Sequence, residues 1–92
     1  MENKTYQQKL DFLRTQIDAC DDVLIAALNS RMRYCVAVGQ LKKEYGITEI
    51  QQIDREKEII EKLSKQSTYP NMVETLWPII MQISRNLQSE IK

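Results

Sequence analysis

The chain has 92 residues, with 13 Lys plus Arg balanced by 13 Asp plus Glu, no histidine, two glycines, two prolines and two cysteines. One domain is the limit at this length, and so small a core is marginal unless a second chain completes it. The lack of histidine excludes Ser/His and Cys/His nucleophilic machinery, imidazole bases and ordinary zinc sites. The interspersed charges offer no basic face to nucleic acid, and the shortage of turn residues argues against sandwiches and barrels.

Long helices are therefore expected. The N-terminus has no apolar h-region and no stretch approaches 18 apolar residues, so neither a signal peptide nor a membrane span is expected and the cytoplasm is the predicted location.

The first helix is predicted to start at Thr5, where Thr5-Tyr6-Gln7-Gln8 has the form of a capping box. An apolar stripe follows at Leu10, Leu13, Ile17, Cys20, Leu24, Ala27 and Leu28, then Cys35 and Val38, and spacings of three and four persist to about Tyr45. Cys20 and Cys35 are fifteen residues apart, roughly 22 Å along one helix, too far for a disulfide, and they read as reduced core residues. Gly39 is tolerated in a helix where two helices approach closely.

Gly46 supplies a stop, and Thr48-Glu49-Ile50-Gln51 offers a second capping box. The second helix is predicted from there to about Gln66, with Ile53, Ile59, Ile60 and Leu63 inward. Thr68 is the expected N-cap of a third helix with Pro70 in its first turn, and Met72, Val73, Leu76, Ile80, Ile83, Leu87 and Ile91 form its stripe. Pro78 removes a hydrogen bond to Glu74 and should kink this helix. Trp77 is expected to anchor a core or an interface.

A first helix of about forty residues spans roughly 60 Å, whereas a compact globule of this size has a radius of gyration near 12 Å. An intertwined symmetric homodimer is the simplest way to cover it.

Charges stand where this pattern calls for apolar residues. Continuing the first stripe from Leu24 gives Ala27, Arg31, Cys35, Val38 and Lys42, which puts two cations eleven residues apart on nearly the same face. Glu56 interrupts the stripe of the second helix beside Arg55, and Ser84 and Gln88 follow Ile80 at i+4 and i+8. Any one of these side chains, taken alone, reads as a residue snorkelling from the stripe's edge. Together, Arg31, Lys42 and Arg55 against Glu56 leave surplus positive charge, and buried charge is costly unless matched. The implied ligand is a small polyanion, with Ser84 and Gln88 making neutral hydrogen bonds. Arg14 is seventeen residues from Arg31, roughly 25 Å along the helix, so it can join such a site only from a partner chain.

The segments Leu13-Arg14-Thr15-Gln16-Ile17-Asp18, Leu28-Asn29-Ser30-Arg31-Met32, Val36-Ala37-Val38-Gly39-Gln40-Leu41-Lys42, Ile53-Asp54-Arg55-Glu56, and Ile79-Ile80 followed by Ser84 and Gln88, resemble in order and spacing the all-helical chorismate mutases. The resemblance covers nearly the whole chain as one domain, 1–92. It implies an all-α fold of three helices per chain interlocked as a homodimer, and a Claisen rearrangement of chorismate to prephenate, on the shikimate route to phenylalanine and tyrosine.

It further implies that Arg31, Lys42, Arg55, Glu56, Ser84 and Gln88 come from one chain and Arg14 from the other, with no metal and no cofactor. Lys42 and Gln88 would donate to the ether oxygen, Arg31 and Arg14 would hold carboxylates with help from Ser84, and Glu56 would accept from the ring hydroxyl near Arg55. Many members carry an Asp two positions before the Asp-Arg-Glu run. Here that substrate-binding place is Gln52, a departure that bears on hydroxyl recognition.

A pericyclic shift suits this composition, since it needs no nucleophile and no acid/base relay; cations that select the folded conformer and donors at the breaking C–O bond suffice. Two relatives of the same fold, 4-amino-4-deoxychorismate mutase and isochorismate pyruvate-lyase, stay open as alternatives, and so does a non-catalytic helical dimerisation module. Association with another shikimate-pathway enzyme is also open. With Met1 and Lys92 as its ends, the chain is expected to leave no room for a regulatory domain.

Overall fold

A computed structural model of the chain describes residues 2–49 and 51–91, and the side chains of all of these except residues 2–4. Among the described residues there are three α-helices and no strand: α1 (Glu2–Glu44), α2 (Ile53–Gln66) and α3 (Pro70–Ser89). The fold is all-α with a very long first helix, as expected.

Helix α1 covers 43 residues and begins before the predicted start at Thr5. No glycine or proline precedes Thr5, so nothing there halts the helix once it has formed. Its end is a Schellman motif: Ile47 N–H donates to the Lys42 carbonyl at 2.8 Å and Gly46 N–H to the Lys43 carbonyl at 3.1 Å. Gly46 adopts φ +69°, a left-handed conformation that costs an L-residue roughly 1 kcal/mol. A Cβ at Gly46 would meet nothing within 4 Å, so the cost of Gly46→Ala is conformational alone. We expect that substitution to lower the melting temperature by about 4–8 °C, as read by circular dichroism.

Helix α2 starts later than the Thr48 capping box suggests. Residues 47–49 and 51–52 are irregular, Ile50 of that box lies outside the described residues, and Gln52 is the N-cap in extended conformation. The first helical bond runs from Glu56 N–H to the Gln52 carbonyl at 3.0 Å. A capping box contributes about 1 kcal/mol, less than the packing of half-buried Ile59, Ile60 and Leu63 in a helix that lies against α3.

The cap of α3 is Tyr69 rather than Thr68. Pro70 holds the preceding residue out of the α region, and Tyr69 is extended with φ −124° and ψ 77°. Its N–H donates to Ser67 Oγ at 2.9 Å. The helix continues through Pro78 to Ser89.

The chain divides into two compact units, Met1–Arg31 and Met32–Lys92. The second holds the buried residues. Val73, Ile80 and Met81 form its core together with the hydroxyl-bearing Ser84, all on α3, which packs against α2. Along the end of α1, Met32, Cys35, Val36, Gly39 and Lys42 are less exposed than the residues between them, at the spacing of one helical face. Trp77 is half-buried.

The first unit is a single helical run in which no described side chain is buried. Phe12, Ile17 and Val23 are 63%, 57% and 71% exposed. Cys20 is exposed, which corrects the core assignment, because its stripe meets no second element within this unit; Cys35 is half-buried, and neither cysteine is in a disulfide. No helix among the described residues is long and apolar enough to cross a membrane.

Candidate active site

Within the Met32–Lys92 unit, α1 comes close to α3 at Gly39. A Cβ there would lie 2.7 Å from Ile91 Cδ1, 3.2 Å from Gln88 Cγ and 3.3 Å from Gln88 Cα. Only a residue without a side chain lets α1 come this near to the backbone of α3. One turn further along α1, Lys42 then faces the same region as Gln88. These two residues line one cavity of about 300 Å³, together with Gly39, Gly46, Ile47 and Ile91. That volume is at the lower end of small-molecule sites.

The glycine stop matters here, since it ends α1 immediately after Lys42 and turns Ile47 back to form a wall. Gln88 Oε1 is buried and has no hydrogen-bond partner among the described residues. An unpartnered buried amide oxygen costs about 1–3 kcal/mol, which a donor reaching it would recover.

Ser84, one turn before Gln88 on α3, is 6% exposed. Its hydroxyl lies 2.9 Å from the Ile80 carbonyl oxygen and 3.5 Å from Met32 Sδ. Glu56 on α2 reaches α3 as well. Both of its carboxylate oxygens accept from Arg85 Nη1 at 2.6 Å. Arg85 Nη2 in turn donates to Gln82 Oε1 at 2.7 Å, and Gln82 Nε2 donates to Asn86 Oδ1 at 2.9 Å. The partner of Glu56 is thus Arg85, and neighbouring Arg55 is exposed. Consecutive residues on a helix point about 100° apart, so Arg55 and Glu56 do not share a face.

Gln52 and Arg55 line a separate recess at the start of α2, with Glu49, Gln51, Asp54 and Glu58. In the other unit Arg14 is exposed and Arg31 half-buried.

Arg85 is the partner of candidate residue Glu56 that the reading of the stripes missed. The signal was available in the spacing Trp77, Met81, Arg85, Gln88, a second row on α3 with steps of four, four and three. It was obscured because Ile80, Ser84 and Gln88 form a competing row that shares its last member.

The family model for chorismate mutase type II matches residues 13–89. The chain belongs to this family. No curated protein and no solved structure matches it. All eight candidate residues, from Arg14 to Gln88, fall inside the span matched by the chorismate mutase model. Membership supports chorismate mutase activity in general and chorismate as substrate.

Proposed function

We propose that this chain is a chorismate mutase proper, catalysing the rearrangement of chorismate to prephenate as a cytoplasmic homodimer built from a single domain, 1–92. The observation that carries the reading is the meeting of Lys42 and Gln88, 46 positions apart in sequence, on one cavity.

The reaction breaks a C–O bond and forms a C–C bond within one molecule, and negative charge grows on the ether oxygen in the transition state. A Lys42 ammonium and a Gln88 amide N–H₂ directed at that oxygen bind the transition state more strongly than the ground state, which is the condition for raising kcat. Arg31 and the partner's Arg14 hold the two carboxylates in the folded conformer, with Ser84 beside one of them. Glu56 accepts from the ring hydroxyl; the family resemblance adds Gln52 and Arg55 to that end, although within one chain they line a recess of their own. The chemistry asks for no cofactor.

The dimer is supported by the first unit. A helix with Phe12, Leu13, Ile17, Val23, Leu24 and Ile25 all exposed has too little internal stability to persist without a partner surface. We expect sedimentation equilibrium to give about twice the 10.8 kDa chain mass; a monomer that remains fully helical would exclude the dimer.

The activity is tested by adding the protein to chorismate, to isochorismate and to 4-amino-4-deoxychorismate, and identifying the products. Chorismate consumed with prephenate formed is the expected result. Pyruvate release or an amino product would assign the chain to one of the two relatives, and no turnover of any of the three would leave a helical dimerisation module.

A further inference from the structure

Arg85 lies outside the residues that the family resemblance assigns, yet it makes a short polar contact between α2 and α3. Its Nη1 bridges both oxygens of Glu56 at 2.6 Å, its Nη2 is held by Gln82, and Gln82 is held by Asn86. The two charged side chains are only 20% and 23% exposed, so solvent screens them less than a surface pair. On α3, Arg85 directly follows Ser84 and precedes Gln88 by three positions, which places a cation one turn from the amide that lines the cavity.

We propose that Arg85 is a positioning residue that sets substrate selectivity: by bridging Glu56 it orients the carboxylate and matches its charge, so that this end of the site accepts a neutral ring hydroxyl and rejects an ammonium group. This rests on the chorismate mutase reading above, in which Glu56 meets the ring substituent.

A carboxylate offers about four lone-pair positions. A single bridging nitrogen leaves positions free on both oxygens, and a hydroxyl needs one of them. The hydroxyl brings no charge, so the Arg85–Glu56 pair stays matched when substrate is bound. A protonated amine at the same position would bring a second cation beside the first with one carboxylate to serve both, and like charges juxtaposed in a partly desolvated site are disfavoured. Without Arg85, the preference reverses in sense: an unmatched Glu56 carboxylate is complementary to an ammonium and would draw the amino substrate in.

The test compares kcat/KM for chorismate with kcat/KM for 4-amino-4-deoxychorismate in the wild-type chain, Arg85→Met and Arg85→Lys. We expect the wild type to favour chorismate, Arg85→Met to shift the ratio toward the amino substrate by about tenfold or more, and Arg85→Lys to keep the wild-type preference at a lower overall rate, because it retains the charge but not the second nitrogen that Gln82 holds. Arg85→Gln gives the same readout as Arg85→Met should the latter fail to fold. A role in packing alone would lower both activities together; an unchanged ratio in Arg85→Met, or a wild type that handles the amine as well as the hydroxyl, overturns the proposal while the mutase reading stands. A wild type that turns over neither substrate overturns both.

Discussion

Lys42→Ala is expected to lower kcat/KM for chorismate by at least about 10²-fold, equivalent to roughly 2.7 kcal/mol of transition-state stabilisation, while the protein keeps its helical content and its mass in solution. The side chain is half-buried on the last turn of α1 and lines the cavity shared with Gln88. Its removal takes away the one formal positive charge proposed to face the developing oxyanion, and beside a half-buried side chain that charge is screened less than on the open surface. Lys42 packs no core, since the buried apolar residues Val73, Ile80 and Met81 are all on α3, so folding should be little affected. Arg31→Ala is expected to fall by a similar factor, with more of the loss in KM, because a cation that holds a carboxylate serves substrate and transition state alike. Steady-state kinetics on the purified variants checks both; a Lys42→Ala protein retaining most of its activity would sink the assignment of that residue.

Gly39→Ala is expected to cost about tenfold in kcat/KM although residue 39 has no side chain to offer a substrate. Two effects oppose each other. Alanine gains roughly 1 kcal/mol of helix propensity over glycine. Against this, its Cβ would meet Ile91 Cδ1 at 2.7 Å and Gln88 Cγ and Cα at 3.2 Å and 3.3 Å. The Ile91 methyl is the end of a side chain and can rotate away. The Gln88 backbone cannot, so α3 must move by a few tenths of an ångström and take Gln88 with it. Overpacking of this kind costs typically 1–3 kcal/mol, which leaves the melting temperature little changed or lowered. Catalysis is the more sensitive readout, because misplacing a positioning group by about 1 Å is enough to cost 10²-fold. Gly39→Val adds two methyls to the same contact and should lose more of both activity and stability. Wild-type kinetics in Gly39→Ala would show that Gln88 is not held by this contact.

The helices were legible in the sequence because their signals are local. Periodicity placed α1, α2 and α3, and Gly46 ended α1 where a left-handed residue was needed. The starts were less legible. Thr48 and Thr68 have good capping chemistry, yet α2 begins at Ile53 and α3 is capped by Tyr69. In the first case packing against α3 outweighs a cap. In the second, Pro70 constrains the residue before it. Cys20 was misplaced for a related reason: periodicity says which side chains share a face, not whether anything covers that face.

The charges on apolar stripes were equally visible, and the resemblance they carried to the all-helical chorismate mutases agrees with the family match over residues 13–89. What periodicity could not pair was Glu56. Arg55 is its neighbour in sequence, but Arg85, 29 positions away, is its partner in space, because adjacent residues on a helix diverge while residues on facing helices converge.

The sequence alone determined the class of fold and the chemistry it can host. A chain without histidine excludes imidazole chemistry and leaves position and charge among its means, and its long uninterrupted periodicity is confined to helices. Which charges meet was decided only by the tertiary structure. The close approach at Gly39 brings Lys42 and Gln88 onto one cavity, and the packing of α2 on α3 gives Glu56 to Arg85. Such pairings depend on where two helices touch, and that is set by burial summed over many residues rather than by any one local signal.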